Sequence, residues 1–165
     1  MALRVPVLER PLHIVLIEPE IPPNTGSTAR LCAATGSHLH LVGKLGFSLD
    51  DRYLKRAGLD YWPAVKLKQH ASLDALMKDE GVGPERFFYY STKTEKAYTE
   101  AAYQPGDYLV FGKETKGLPE DLVQRENALG RVYTIPMMQD AVRSLNLATS
   151  VGIVLYEALR QVKAW

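Results

Sequence analysis

The chain has 165 residues, 46% of them hydrophobic, and a formal net charge of +1. This length predicts a single domain over residues 1–165 that buries about 70% of its unfolded surface. That is enough for a stable core without disulfides or bound metals. A single cysteine, Cys32, excludes a disulfide within one chain and fits a reducing compartment. The near-neutral charge gives no global argument for nucleic acid, so any such surface must be a local patch.

The sequence also lacks the patterns of membrane or secreted proteins. No apolar run approaches the roughly 20 residues that a bilayer span needs, and no N-terminal stretch has the form of a signal peptide. We therefore expect a cytoplasmic protein without membrane contact.

The first half of the chain alternates predicted strands and helices. The apolar run 12–17 is typical of a buried strand. Asn24 is expected to cap a helix that ends near Thr35, with Gly36 as its stop. The elements predicted next are a strand over 39–42, a short helix over 50–57, a weak strand over 65–67 and a helix from Ser72 to about Lys78.

The second half predicts two strong strands, 87–90 and 108–111, then a short helix from Pro119, a strand over 131–135 and a helix from about Ser144 to Val162. The last helix has a broad apolar stripe at three- and four-residue steps. This stripe fits burial inside the domain or against a second copy, and both interpretations stay open. Alternating strands and helices predict an α/β fold with a mostly parallel sheet and flanking helices.

The first polar cluster follows Pro22 and Pro23. Asn24 and the small residues after it leave helix amides free to meet an anion, and Arg30 lies one to two turns further along. The alternative is an ordinary capped helix with a surface arginine.

The second cluster is the loop 112–117. Gly112 lets backbone approach a ligand closely, and Gly117 permits a turn with positive φ. Lys113 and Lys116 are candidates to face a polyanion, and Glu114 to accept a ligand's donor or pair with an arginine. The alternative is a surface loop with glycine turns. Neither a P-loop nor a G-x-G-x-x-G fingerprint is present.

A third cluster lies at the start of the last helix, where Ser144 and Asn146 are placed to cap the helix or to present polar groups to a ligand. Separately, Arg52, Lys55 and Arg56 share one face of a predicted helix. That face is either a solvated surface or, with the two lysines of the 112–117 loop, a phosphate-contact patch.

No metal site is expected from the sequence. The four histidines, His13, His38, His40 and His70, lack metal-ligand spacing. His38 and His40 would share one strand face, but no third ligand is apparent. Cys32 lies mid-helix beside alanines and is interpreted as a core residue.

These clusters are joined by further motifs that cover nearly the whole chain. The motifs are 14–26 with 30–33, Gly46-Phe47, Asp50-Asp51, 54–61 apart from Lys55, 106–119, 135–137, 143–147 and 156–158. Together they resemble the SPOUT class of S-adenosylmethionine-dependent RNA methyltransferases. Within it, the chain looks like the YibK/TrmL group, which 2′-O-methylates the wobble nucleotide, cytidine 34 or uridine 34, of tRNA.

The resemblance implies a deep C-terminal trefoil knot, with knot and cofactor site in about 87–165, and a homodimer joined by the first and last helices. It implies S-adenosylmethionine as cofactor and tRNA as partner, without a metal. The residues implied to line the cofactor pocket are Tyr90, Gly112, Ile135 and Ser144. The positions implied in catalysis or site architecture are Asn24, Arg30, Glu114, Ser144 and Asn146. The candidate tRNA contacts are Arg52, Lys55, Arg56, Lys113, Lys116 and Arg143.

The chain departs from the family pattern at a few positions. The segment from Ile135 to Arg143 is one residue longer than usual, Ala148 stands where serine is common, and Ser27 where asparagine is common. Two alternatives stay open. One is a 2′-O-methyltransferase of the same class that acts on another tRNA position or on ribosomal RNA. The other is a non-catalytic RNA-binding protein of the same fold.

Overall fold

The computed structural model describes residues 1–50, 52, 56, 62–163 and 165. Within them lies a six-stranded sheet whose paired strands all run parallel. The strands are β1 (His13–Ile17), β2 (His38–Val42), β3 (Leu67–His70), β4 (Phe87–Tyr90), β5 (Tyr108–Phe111) and β6 (Val132–Tyr133). Their order across the sheet is β3-β2-β1-β5-β4-β6. The predicted α/β class with a parallel sheet is confirmed.

Strand β1 lies at the centre of the sheet, between β2 and β5, with His13 level with both His38 and Tyr108. Every residue of β1 and β5 is buried, as expected for parallel strands covered on both faces. From β1 the chain builds outward through β2 and β3, then crosses to β4 on the other side. This reversal opens a crevice at the carboxyl ends of β1 and β5, where open α/β sheets bind ligands.

The helices that cover the sheet are α1 (Pro22–Thr35), α2 (Leu73–Glu80), α3 (Glu120–Ala128) and α4 (Leu147–Lys163). Successive strand residues point to opposite faces, so β1 contributes to two core layers. Ile14 and Leu16 pack with α1 and α4, whereas Val15 and Ile17 pack with α2 and α3.

The start of α1 differs from the prediction. The helix begins at Pro22, with Ile21 as its N-cap residue, so the predicted cap at Asn24 is wrong. Two prolines in the first turn are tolerated because the amides they lack would have no intrahelical partner. Gly36, with φ 71°, ends the helix as predicted.

Other boundaries shift by a few residues. β3 lies at 67–70 rather than 65–67, and β6 is confined to Val132–Tyr133. α3 begins after Pro119, which holds the N-cap position, and α4 begins at Leu147 rather than about Ser144. The cap at Ser72 is confirmed, because its hydroxyl accepts from the Ala75 amide at 3.0 Å. The helix predicted over 50–57 falls largely outside the described residues.

The apolar stripe of α4 is buried within the single chain. Val151, Val154, Leu155 and Ala158 are fully buried, against α1 and the sheet. Burial inside the domain therefore accounts for the centre of the stripe. In the described part of the chain, no helix combines the length and hydropathy that crossing a membrane would require.

Candidate functional site

A cavity of about 900 Å³ lies at the carboxyl ends of β1, β4, β5 and β6. The residues following these strands and the start of α4 form its walls. Its position matches the crevice created by the strand order, and its volume is within the range of small-molecule sites. The cavity is therefore the candidate ligand site of the domain.

The loop after β5 folds back on itself at the cavity wall. The Gly117 amide donates to the Lys113 carbonyl at 2.8 Å, and the Lys113 amide donates to the Gly117 carbonyl at 3.3 Å. Gly117 has φ 69°, which confirms the predicted left-handed turn. A Cβ at Gly112 would lie 2.0 Å from the Gly117 carbonyl carbon and 2.1 Å from the Leu118 nitrogen. Only glycine at position 112 allows the backbone of Gly117 and Leu118 to approach this closely.

Glu114 projects from this loop to the start of α1. Its carboxylate accepts hydrogen bonds from the amides of Glu20 and Ile21, both at 2.8 Å, and from Asn24 Nδ2 at 3.2 Å. The chain itself therefore supplies three donors to Glu114, and the expected contact with a ligand's donor or an arginine stays a prediction. Glu114 positions the start of α1 against the cavity.

Asn24 and Asn146 extend this contact to α4. Asn146 Nδ2 donates to Asn24 Oδ1 at 3.1 Å, and Asn146 Oδ1 accepts from the Thr149 amide at 3.1 Å. Asn146 thus caps α4, which is one of its two predicted roles. Glu114, Asn24 and Asn146 form one hydrogen-bonded chain in the cavity wall. The structure brings these three predicted residues together as positioning groups.

Replacing Glu114 by glutamine is expected to lower the free energy of unfolding by about 1–2 kcal/mol. The change removes a charge that accepts three hydrogen bonds, and charge-assisted bonds contribute about 1.5–3 kcal/mol. Chemical denaturation measures the difference, with Glu95→Gln at an exposed position outside the cavity as the matched control. Equal stability of both variants and the wild type would contradict the positioning role.

The four predicted cofactor walls, Tyr90, Gly112, Ile135 and Ser144, all line the cavity. The Tyr90 ring stacks on Phe111 with centroids 4.8 Å apart, and its hydroxyl donates to the Tyr103 hydroxyl at 2.9 Å. Burial, and then Tyr103, raise the pKa of Tyr90 well above its ordinary value. Tyr90 is therefore a fixed, uncharged wall and not a base.

Cationic side chains surround the cavity. Lys113, Lys116 and Arg143 line it, and Arg143 Nη2 donates to the Thr115 carbonyl at 3.3 Å. Lys113 Nζ lies 4.0 Å from a Glu18 carboxylate oxygen. Of the other predicted RNA contacts, Arg52 and Arg56 are exposed and are not among the described residues that line the cavity, and Lys55 lies outside the described residues.

Arg30 lies on the exposed side of α1, and it is absent from the described lining of the cavity. The other predicted catalytic positions, Asn24, Glu114, Ser144 and Asn146, all line the cavity.

Two further residues belong to the site and were not predicted from the sequence. Glu18 lines the cavity directly after β1 with φ 50°, a left-handed conformation that non-glycine residues rarely adopt. Glu20 accepts from the Thr115 hydroxyl at 2.7 Å and amide at 3.2 Å, and these bonds lower the pKa of its carboxyl. The position of Glu18 at the carboxyl end of a buried strand was the signal that could have found it.

Comparisons with known proteins agree with this architecture. Residues 11–156 match the family model described as the SpoU rRNA Methylase family. A protein of Photorhabdus asymbiotica named tRNA (cytidine(34)-2′-O)-methyltransferase is 48% identical over 154 residues, covering 92% of this chain and 94% of its own.

Two solved structures extend the likeness. One, described as giving structural insights into the 2-OH methylation of C/U34 on tRNA, superposes with a TM-score of 0.83 at 45% identity, covering 94% of this chain and 99% of its own. An AdoMet-bound rRNA methyltransferase from Sinorhizobium meliloti superposes with a TM-score of 0.78 at 25% identity, covering 94% of this chain and 58% of its own. With the family match over most of its length, the chain belongs to the SpoU rRNA Methylase family.

Proposed function

We propose that this protein transfers a methyl group from S-adenosylmethionine to the ribose 2′-hydroxyl of the wobble nucleotide, cytidine or uridine 34, of tRNA. The observation that carries the proposal is the cavity, whose walls contain the implied cofactor positions in a chain 48% identical to a tRNA (cytidine(34)-2′-O)-methyltransferase. We also propose a cytoplasmic location, in keeping with a tRNA substrate.

The cavity fits S-adenosylmethionine. Its loop 112–118 brings backbone to the wall without a side chain at Gly112, and Tyr90 adds an aromatic, uncharged surface. We assign Tyr90, Gly112, Ile135 and Ser144 to hold the cofactor. When bound, the cofactor supplies an electrophilic methyl group on a sulfonium. The protein must then place the ribose hydroxyl in line with that methyl, and such positioning contributes up to about 7–11 kcal/mol in the best intramolecular cases.

Arg30 is proposed to clamp an RNA phosphate and to stabilise the alkoxide that develops on the ribose. An arginine with a pKa above about 12 does not readily act as a base. We therefore propose that the RNA phosphate accepts the proton of the ribose hydroxyl.

Glu114, Asn24 and Asn146 are proposed to act by holding the starts of α1 and α4 against the cavity. Ser144 contributes its hydroxyl at the cavity wall.

We propose that residues 1–165 form one domain with a trefoil knot over about 87–165, and that two copies join through α1 and α4. The exposed apolar residues on or beside these helices, Ile21 and Tyr156, support the dimer. In this homodimer we propose that Arg30 of one subunit acts at the cavity of the other.

The tRNA surface is proposed to consist of Arg52, Lys55, Arg56, Lys113, Lys116 and Arg143. The cations at the cavity mouth support it, since Lys116 and Arg143 are exposed and line the cavity. Each phosphate contact contributes about −0.7 to −0.9 to the slope of log affinity against log salt concentration.

Replacing Lys116 by glutamine is therefore expected to weaken tRNA binding. It should also make the slope of log affinity against log salt concentration less steep by about 0.7–0.9, the contribution of one phosphate contact. Binding measured at several salt concentrations tests this, with Lys78→Gln on α2 as a control away from the cavity. A slope identical to that of the wild type would remove Lys116 from the footprint.

The proposed activity is tested by incubating the protein with labelled S-adenosylmethionine and total tRNA from cells that lack the modification. Nuclease mapping then locates the label, which we expect as a 2′-O-methyl group at nucleotide 34. Label at another tRNA nucleotide, or label in ribosomal RNA supplied in a parallel incubation, would support the alternative target. Cofactor binding without transfer to any RNA would support the non-catalytic RNA-binding protein.

A further inference from the structure

A second group of titratable side chains lies at the other end of the sheet from the cavity. This is the end at which β1 and β5 begin. His13 Nδ1 and His40 Nε2 lie 2.9 Å apart. A carboxylate oxygen of Glu80, the last residue of α2, lies 3.9 Å from the first and 3.6 Å from the second. Three elements distant in sequence thus converge on one point.

The spacing of these three atoms suits a metal ion. A tetrahedral ion with ligands at about 2.0–2.1 Å keeps its ligand atoms about 3.3–3.4 Å apart. The observed separations of 2.9, 3.6 and 3.9 Å lie on both sides of that value. Two imidazoles and one carboxylate form a common zinc ligand set that leaves a fourth position open. A separate cavity of about 460 Å³, lined by His13, Glu80 and Tyr108, adjoins the group.

Further hydrogen bonds orient the histidine ligands. His70 Nδ1 lies 3.2 Å from an Asp79 carboxylate oxygen, to which it donates, and His40 Nδ1 lies 3.0 Å from His70 Nε2. With this assignment, His40 donates through Nδ1, and its Nε2 accepts a hydrogen bond from His13 Nδ1 at 2.9 Å. An ion bound between the two nitrogens would replace this hydrogen bond, and the His13 hydrogen would move to Nε2. A carboxylate that fixes a ligating imidazole through its other nitrogen is typical of metal sites.

The carboxylate ligand is held in the same way. Tyr108 donates to one oxygen of Glu80 at 3.1 Å, and Lys68 donates to the other at 2.7 Å. The Tyr108 ring also stacks on His13 with centroids 4.0 Å apart, which fixes the plane of that imidazole. These contacts hold both ligands in place.

Both imidazoles lie inside the fold: His40 is fully buried and His13 nearly so. Their burial, together with the hydrogen bonds described above, holds the candidate ligand atoms in fixed positions.

We propose that His13, His40 and Glu80 bind one zinc-like divalent transition-metal ion, with a water from the adjoining cavity as fourth ligand. The ion fastens β1, β2 and the end of α2 to one another, at the end of the sheet opposite the cavity described above. The sequence offered no third ligand for His38 and His40 because the structure pairs His40 with His13 and with an acid on another element.

The test titrates the full-length protein, prepared without a histidine tag and freed of metal by chelation, with Zn²⁺ against a chromophoric chelator. We expect one equivalent with a dissociation constant below about 1 μM. Zn²⁺ should also raise the melting temperature of the wild type. Glu80→Gln should weaken binding by at least about 100-fold. His38→Gln, whose ring lies 5.0 Å from His13 but outside the ligand group, should bind like the wild type.

Less than one equivalent bound by the folded wild type would overturn the proposal, as would wild-type affinity in Glu80→Gln. Should Glu80→Gln fail to fold, Co²⁺ added to the wild type decides the question. An intense visible absorption band of a tetrahedral nitrogen and oxygen site supports the proposal, and the weak spectrum of the aqueous ion overturns it.

Discussion

Replacing Arg30 by alanine is expected to lower the turnover number of methyl transfer by about 100- to 1,000-fold, the usual effect of removing one group that stabilises a developing oxyanion. Because Arg30 is exposed on α1, the free energy of unfolding should change by no more than about 0.5 kcal/mol. Single-turnover rates at saturating tRNA, together with thermal melting, separate the two effects. Near-normal turnover in Arg30→Ala would end the proposed role.

Arg30→Lys is the informative companion variant. A lysine keeps the charge but loses the bidentate geometry with which arginine binds a phosphate. We therefore expect activity between those of the wild type and Arg30→Ala. If Arg30→Lys were as active as the wild type, the positive charge of Arg30 would account for its role and its bidentate geometry would not be needed.

Mixed dimers test whether Arg30 acts on the partner's cavity. A dimer of one Arg30→Ala subunit and one Gly112→Ala subunit contains one intact site only if each site combines Arg30 of one chain with the cavity of the other. Partial recovery of activity on mixing is the expected result. No recovery from a confirmed mixed dimer would place both groups in one subunit.

Gly112→Ala is expected to destabilise the protein by about 3 kcal/mol or more and to weaken cofactor binding at least about tenfold. The new Cβ would lie 2.0 Å from the backbone of Gly117, which cannot move aside as a side chain would. Opening the loop breaks the paired bonds between Lys113 and Gly117 and displaces Glu114 from the start of α1. Calorimetric titration with S-adenosylmethionine and chemical denaturation measure the two effects.

Gly152→Ala, on α4, is the matched control. Its Cβ would lie 3.6 Å from Leu31 Cδ1, an ordinary contact, and alanine is a better helix former than glycine. This variant should keep or raise stability and should bind cofactor normally. If Gly112→Ala behaved in the same way, the loop closure would not depend on glycine.

The parts of the fold that depend on local patterns were predictable from the sequence. The apolar runs of β1 and β5 predict buried strands, Gly36 predicts the end of α1, and Ser72 predicts the start of α2. In each case the physical cause lies within a few residues of its effect, so the sequence pattern contains it.

The start of α1 could not be predicted in this way. Asn24 has the residue type of a cap, but two prolines begin the helix, and Glu114 accepts the amides of Glu20 and Ile21 from more than 90 residues away. The convergence of His13, His40 and Glu80 has the same origin. No local pattern records contacts between residues that lie far apart in the sequence.

The family resemblance nevertheless identified several residues of the cavity wall. Tyr90, Gly112, Ile135 and Ser144 were predicted together from the family resemblance, and the structure places all four on one cavity. It could not predict that Arg30 lies outside that cavity, because the prediction named residues and not the surfaces on which they lie. The roles of these residues in binding and catalysis stay predictions.

The most direct test of the account is to remove only the proposed acceptor hydroxyl. A tRNA that accepts label is reassembled with 2′-deoxyribose at nucleotide 34, and a control carries 2′-deoxyribose at nucleotide 35. We predict no methyl incorporation into the first and normal incorporation into the second. Equal incorporation into both would contradict methyl transfer to the wobble 2′-hydroxyl.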